Sequence, residues 1–169
     1  DQNSYFGLHT YKGKQQTLYT NFIYQSIIQN TQHNYKIGFN YIIDNYQESL
    51  NDATFNRMEL VPGLYGEYTY TNLTALTIVT GARVDFHNLY GMFFTPRIHI
   101  KYDLTPKLTA RIGIGRGFRR PNAIAENFRV LVSSRQLFFD EEIKPEVAWN
   151  GGVSMHQIFN LAGREGFID

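Results

Sequence analysis

The chain has 169 residues and a formal net charge of +1, which allows one domain with a sizeable core and gives no electrostatic case for nucleic acid. It has no cysteine, which excludes a disulfide framework, a cysteine zinc site and a thiol nucleophile. The first 20 residues hold no apolar run of the signal-peptide kind, and no stretch is long and apolar enough for a transmembrane helix.

Apolar and polar residues alternate with period 2 along most of the chain, and helical periodicity is almost absent. A weak run near 17–28 comes first. In 35–44, Tyr35, Ile37, Phe39, Tyr41 and Ile43 share one face against Lys36, Gly38, Asn40 and Asp44, with Ile42 the exception. A weaker run covers 61–71. In 74–87, Leu76, Ile78, Ala82, Val84 and Phe86 oppose Thr77, Gly81, Arg83, Asp85 and His87. Ile98, Ile100 and Tyr102 oppose Arg97, His99, Lys101 and Asp103, and Leu108, Ala110, Ile112 and Ile114 oppose Thr109, Arg111 and glycines. In 146–155, Val147, Trp149, Val153 and Met155 oppose Glu146, Asn150 and Ser154. With a last run starting near 163, the pattern predicts about eight antiparallel strands.

Short connections near 29–32, 72, 104–107 and 160 alternate with longer ones at 44–59, 87–93 and 120–144. Hairpins place every second connection at the same end of a sheet, so the short turns gather at one end and the longer loops at the other. An outer-membrane barrel predicts that asymmetry, with strands of roughly 10 residues and aromatic girdles, and 12 Tyr and 13 Phe are available to build them. The apolar face then meets lipid and the charged face lines a wet interior. A soluble β-sandwich is the alternative, with the apolar face as its core. Arg116 shares parity with Ile112 and Ile114, and a glycine bulge among Gly113, Gly115 and Gly117 is one way to turn it from lipid.

Four motifs follow in order: Gly81, Arg83 and Asp85 in "GARVD"; Pro96 and Arg97; Gly115, Gly117, Phe118, Arg119 and Pro121 in "GRGFRRP"; and Pro145, Glu146, Asn150 and Gly151 in "PEVAWNG". Together, over about 70 residues, they resemble the barrel of a TonB-dependent outer-membrane receptor. The resemblance implies about eight strands of a larger barrel of about 22 strands, with 1–169 a partial barrel domain that lacks the plug and the remaining strands. A complete eight-stranded barrel is the runner-up. The implied function is energy-coupled import of a bulky nutrient such as a siderophore, haem or cobalamin. The implied partners are outer-membrane lipid, the inner-membrane TonB complex acting through the absent plug segment, and a surface lipoprotein. A structural or adhesive barrel without transport is the alternative.

Other chemistry is weak. "GIGRGF" is not G-x-G-x-x-G and no amphipathic helix follows, so it is no phosphate cradle. Aromatics and arginines on a strand suit RNA, yet a second basic cluster is missing. His9, His33, His87, His99 and His156 lack metal-ligand spacing, and no nucleophile triad stands out, so neither enzyme activity, nor a metal site, nor a cofactor is expected. The acidic, amide-rich stretch 44–52 is a solvated loop or a Ca²⁺ loop without the spaced EF-hand pattern. Within the long connection, Arg120, Phe128, Arg129, Arg135, Phe138 and Phe139 are the candidates for contact with ligand or partner.

Overall fold

The computed structural model describes residues 1–6, 9–72, 74–120, 144–161 and 163–169. They form nine strands: β1 (Gln2–Phe6), β2 (His9–Ile27), β3 (His33–Leu50), β4 (Ala53–Thr71), β5 (Leu76–His87), β6 (Gly91–Thr105), β7 (Leu108–Arg119), β8 (Glu146–Leu161) and β9 (Arg164–Ile168). All belong to one antiparallel sheet in chain order, an unclosed meander. The expected all-β antiparallel architecture is present, with β1 added to the expected eight strands.

Two expected loops are shorter than the sequence suggested. The 44–59 connection is a two-residue turn, because β3 runs on to Leu50 and pairs with β4 down to Leu50↔Ala53. Asn51 makes the turn at φ 53, a left-handed conformation that asparagine tolerates. Its Oδ1 accepts the Thr10 amide at 2.9 Å and its amide donates to the Thr10 carbonyl at 2.8 Å, which staples the turn to β2. No Ca²⁺ loop exists there. The 87–93 connection contracts to residues 88–90. The first stretch resembles a loop because its residues are mostly polar on both faces, which erases the alternation without ending the strand; the second does so because Gly91, Met92 and Phe93 open β6 with no polar residue between the apolar ones.

The sheet is inside out relative to a soluble protein. Its most buried polar residues are Asn40, Asp44, Glu48, Glu59, Asp85 and His87, while Leu18, Phe22, Ile37, Leu64, Trp149 and Val153 lie exposed on the opposite face. Exposed apolar surface on this scale marks contact with an apolar medium. Curvature produces the inner burial: Arg120, at the end of β7, reaches Glu59 on β4. Three strand spacings, about 14 Å in a flat sheet, separate those strands, more than an arginine side chain spans.

An aromatic belt reports the strand tilt. His33 and Tyr70 meet at 5.2 Å with their rings tilted by 41°, and Tyr24 meets Tyr35 at 6.2 Å, near the 28–32 turn and the Thr71 end of β4. The belt slips against the hydrogen-bond rows. Tyr24 pairs with Ile37, Ile37 with Gly66, Gly66 with Ala82 and Ala82 with Pro96. On β6, however, the belt aromatic is Tyr102, six residues beyond Pro96. Six residues of rise, about 20 Å, over four strand spacings, about 19 Å, give a tilt of about 45°. That is the tilt of strands in a membrane barrel.

Candidate functional site

The inner wall is built in rows, because partners across the ladder face the same side. One row holds Lys36, Glu67, Gly81, Arg97 and Gly115, each paired with the next. Arg97 lies across Gly81 to reach Glu67 two strands away, Nη2 to Oε2 at 2.6 Å, and Lys36 Nζ approaches the other Glu67 oxygen at 3.3 Å. A Cβ on Gly81 would stand 3.0 Å from the Gly66 carbonyl oxygen. The motif glycine therefore keeps the strand bare beneath a crossing guanidinium. His99 fills the equivalent space over Gly113.

The next motif pair is a fork. Arg83 donates Nε and Nη2 to the two oxygens of buried Asp85, both at 2.6 Å, the bidentate geometry that favours arginine. Gly63 opposite Asp85 makes room for it, since a Cβ there would meet Asp85, Asn40 and Arg83 atoms at 3.0 Å or less. Pro96 stands where β6 leaves β7, just beyond the last nearby pair, Arg97↔Gly115, a position that needs no ladder N–H from the proline.

Arg116 turns away from the face its parity assigns. Its Nη1 donates to the Phe94 carbonyl at 3.0 Å, and its side chain lines an inner hollow with Arg83, Thr95 and Arg97. Phe118 stacks on inward Phe93 at 4.0 Å with the rings 6° from parallel. The lapse of β6–β7 pairing after Gly115 permits both contacts; β7 and β8 keep an unbroken register through Gly113, Gly115 and Gly117, so the expected glycine bulge does not occur. Gly117 pairs with Ala148, Gly151 with Ile114 and Asn150 with Gly115. Arg119 and Glu146 form an exposed ion pair at 3.3 Å across the base of the 120–145 connection, and Pro145 directly precedes β8.

Toward the Asn51 turn the inner wall carries a denser network that motif reading missed. Tyr11 donates to Glu48 at 2.7 Å, and Arg57 bridges Glu48 at 2.5 Å and Glu59 at 3.1 Å while lying 4.0 Å over the Tyr46 ring. Burial, with the bond to Glu48, pushes the Tyr11 phenol up to about 12. Arg120, the one loop candidate among the described residues, turns inward onto Glu59 and approaches Asp44 at 3.7 Å. Thr17 and Gln15 also donate to Asp44. His87 accepts the Leu89 amide on Nδ1, and its Nε2 stands 3.6 Å from Glu59. Among the described residues, three carboxylates against two arginines leave this network one negative charge in excess. Its only sequence signal is strict alternation of Asp44, Tyr46 and Glu48 with Arg57 and Glu59 opposite. The candidates Phe128, Arg129, Arg135, Phe138 and Phe139, and motif residue Pro121, lie outside the described residues.

The family described as TonB dependent receptor-like, beta-barrel matches residues 1–162. The chain belongs to this family. It is an outer-membrane receptor barrel, and family members are receptors and transporters rather than enzymes. An "Iron-regulated outer membrane virulence protein" of Vibrio cholerae serotype O1 is 24% identical over 124 residues, covering 67% of this chain and 19% of the relative. The siderophore receptor PirA from Pseudomonas aeruginosa superimposes with TM-score 0.64 at 16% identity, over 90% of this chain and 29% of PirA. A mutant of the ferric enterobactin receptor PfeA from the same organism gives TM-score 0.56 at 15% identity, over 68% and 18% of the two chains. The chain thus spans less than a third of the length of these relatives. In a receptor barrel the exposed apolar face is the lipid face, the aromatic belt is a membrane girdle, and the rows of Arg97 and Arg83 line the lumen.

Proposed function

We propose that the protein carrying this barrel segment imports an iron–siderophore across the outer membrane, energised by the inner-membrane TonB complex. The observation that carries this reading is family membership over nearly the whole chain, joined to a wall with a polar, charged inner face and an apolar outer face. The printed names of its relatives, an iron-regulated outer-membrane protein, a siderophore receptor and a ferric enterobactin receptor, point to iron chelates as cargo. Phe128, Arg129, Arg135, Phe138 and Phe139 are proposed to meet the cargo or a surface lipoprotein at the outer mouth, from the connection that Arg119 and Glu146 close at its base.

The test is radioiron uptake by iron-starved cells carrying or lacking the full-length gene, with and without a functional TonB complex. Chelate-dependent uptake that requires both supports import. Binding at the surface with no uptake in any chelate class refutes it and leaves a structural or adhesive barrel.

A further inference from the structure

Two adjoining hollows, of about 590 and 520 Å³, open on the outer face and meet at Ile37, Gly66 and Ala82. They form one groove along the row Ile37, Gly66, Ala82 and Pro96, each paired with the next. Leu64 and Val84 stand on its long-loop side, and Ile98 and Ile114 on its short-turn side. The place of this row on β7 belongs to Arg116. That side chain turns inward onto the Phe94 carbonyl and leaves the place bare before Trp149, its partner on β8.

No described side chain covers the floor at Gly66. Gly13, Gly38, Gly63 and Gly81 each lie beneath a neighbouring side chain, whereas a Cβ on Gly66 would meet only the Lys36 carbonyl oxygen, at 3.9 Å. The groove faces away from the lumen and runs from β3 to β8, inside both edges of the sheet, so neither a plug nor further strands can fill it.

Its depth in the membrane follows from the tilt. The apolar stripe of β3 centres on Phe39, whose row partner Leu64 lies two residues from Gly66, so Gly66 is near the midplane. Along a row tilted by about 45°, each strand step of about 4.8 Å rises about 3.4 Å toward the long loops. The four steps from Gly66 to Trp149 climb about 14 Å, one leaflet's share of a hydrocarbon core about 30 Å thick. Trp149, 66% exposed, then stands near the outer interface, which suits its amphipathic ring.

A protein partner crossing the bilayer would need a seat through both leaflets, and this groove ends at Ile37, just past the midplane. An acyl chain of an outer-leaflet lipid matches its length, its apolar walls and its continuity with the lipid face. Lipid tails are as apolar as the groove, so packing alone selects the occupant. A chain lying in the groove touches protein on several sides and gains dispersion contacts that a flat wall does not offer.

We infer that this groove seats one acyl chain of an outer-leaflet lipid, running from Trp149 down to Ile37, and that the inward turn of Arg116 clears its upper part. The seat requires the outer-membrane orientation and does not depend on import.

The experiment uses the full-length receptor in phosphatidylcholine vesicles with a trace of phosphatidylcholine carrying a photoreactive diazirine, either close to the ester or at the chain end. Irradiation and peptide mass mapping locate the attachments. The near-ester label is expected around Trp149 and Pro96, and the chain-end label around Gly66 and Ile37. G66L/A82L fills the groove and is expected to lower attachment there about fivefold or more, while A110L, on the outer face beyond the groove, leaves it unchanged. Should G66L/A82L fail to assemble, the order of the two labels on the unaltered receptor decides alone. An even spread of both labels over the outer face overturns the seat, and so does unchanged attachment in an assembled G66L/A82L. The reverse order of labels overturns it in favour of a chain from the inner leaflet. An unlabelled groove, with receptor dimers that G66L/A82L abolishes, overturns it in favour of a second copy.

Discussion

Placing an arginine on the outer face at two depths tests the tilt and the band together. On β3 the apolar stripe runs from Tyr35 to Ile43 and centres on Phe39. The ladder carries Phe39 to Leu64, Val84 and Phe94. The slip of six residues over four strands, about 1.5 per strand at a tilt of about 45°, then moves the midplane on β6 four to five residues past Phe94. It falls at Ile98, which is exposed on the outer face. Leu76 pairs with the girdle residue Tyr102 and so lies near the water line. Ile98→Arg is expected to cost about 2–4 kcal/mol and Leu76→Arg about 0–1 kcal/mol. Urea unfolding of the full-length receptor in lipid vesicles, read by fluorescence, gives both values. Equal penalties at the two sites would refute the tilted band, and a larger penalty at Leu76 would place the membrane elsewhere on the sheet.

Four further outcomes follow from the inner wall. Glu59→Ala removes the carboxylate that Arg57 and Arg120 share but leaves each its second partner, Glu48 and Asp44, and is expected to cost about 1–3 kcal/mol, whereas Arg119→Ala, at an exposed pair, costs under about 1 kcal/mol; the same unfolding titration compares them. Gly63→Val collides with the Asp85 and Arg83 fork and is expected to cost about 1–3 kcal/mol or more. Gly152→Ala meets no atom within 4 Å and should leave the unfolding midpoint nearly unchanged. Tyr11 holds its proton up to about 12, so its folded-state value lies above the ordinary one. The stability it contributes is complete below about pH 10 and is lost as pH rises through about 12. A difference absorbance titration against Tyr11→Phe reads this ionisation, and Glu48→Gln should lower its midpoint.

Within the hydrocarbon band the sequence was readable because lipid enforces alternation: Leu76 to Phe86, and Ile98 to Tyr102, take the faces their spacing predicts. Beyond the band that enforcement ends. Asn45, Gln47 and Ser49 meet water outside while Asp44, Tyr46 and Glu48 face inward, so hydropathy sees an unbroken polar run and suggests a loop. The network of Glu59, Arg57, Arg120 and His87 was illegible for a different reason. Its members come from β4, β5 and the end of β7, and only register and curvature bring them together. Arg116 lies between these cases: its side chain leaves the face its spacing predicts because β6 parts from β7 beside it, and no glycine bulge takes part.

The way β5 ends has a consequence for how the outer mouth works. β5 stops at His87 while β4 continues to Ala53, and Asn88 satisfies the abandoned edge by accepting the Leu60 amide and donating to the Met58 carbonyl, both at 2.9 Å. The hairpin of β3 and β4, with β2 and β1 beside it, therefore rises past β5 as a braced blade. A flexible loop would lose conformational freedom each time it closed on a cargo, whereas a blade loses that freedom once, when the barrel folds. Under the proposed import, recognition on this side of the mouth rests on which side chains the blade displays, and a change of cargo requires new side chains on the same backbone.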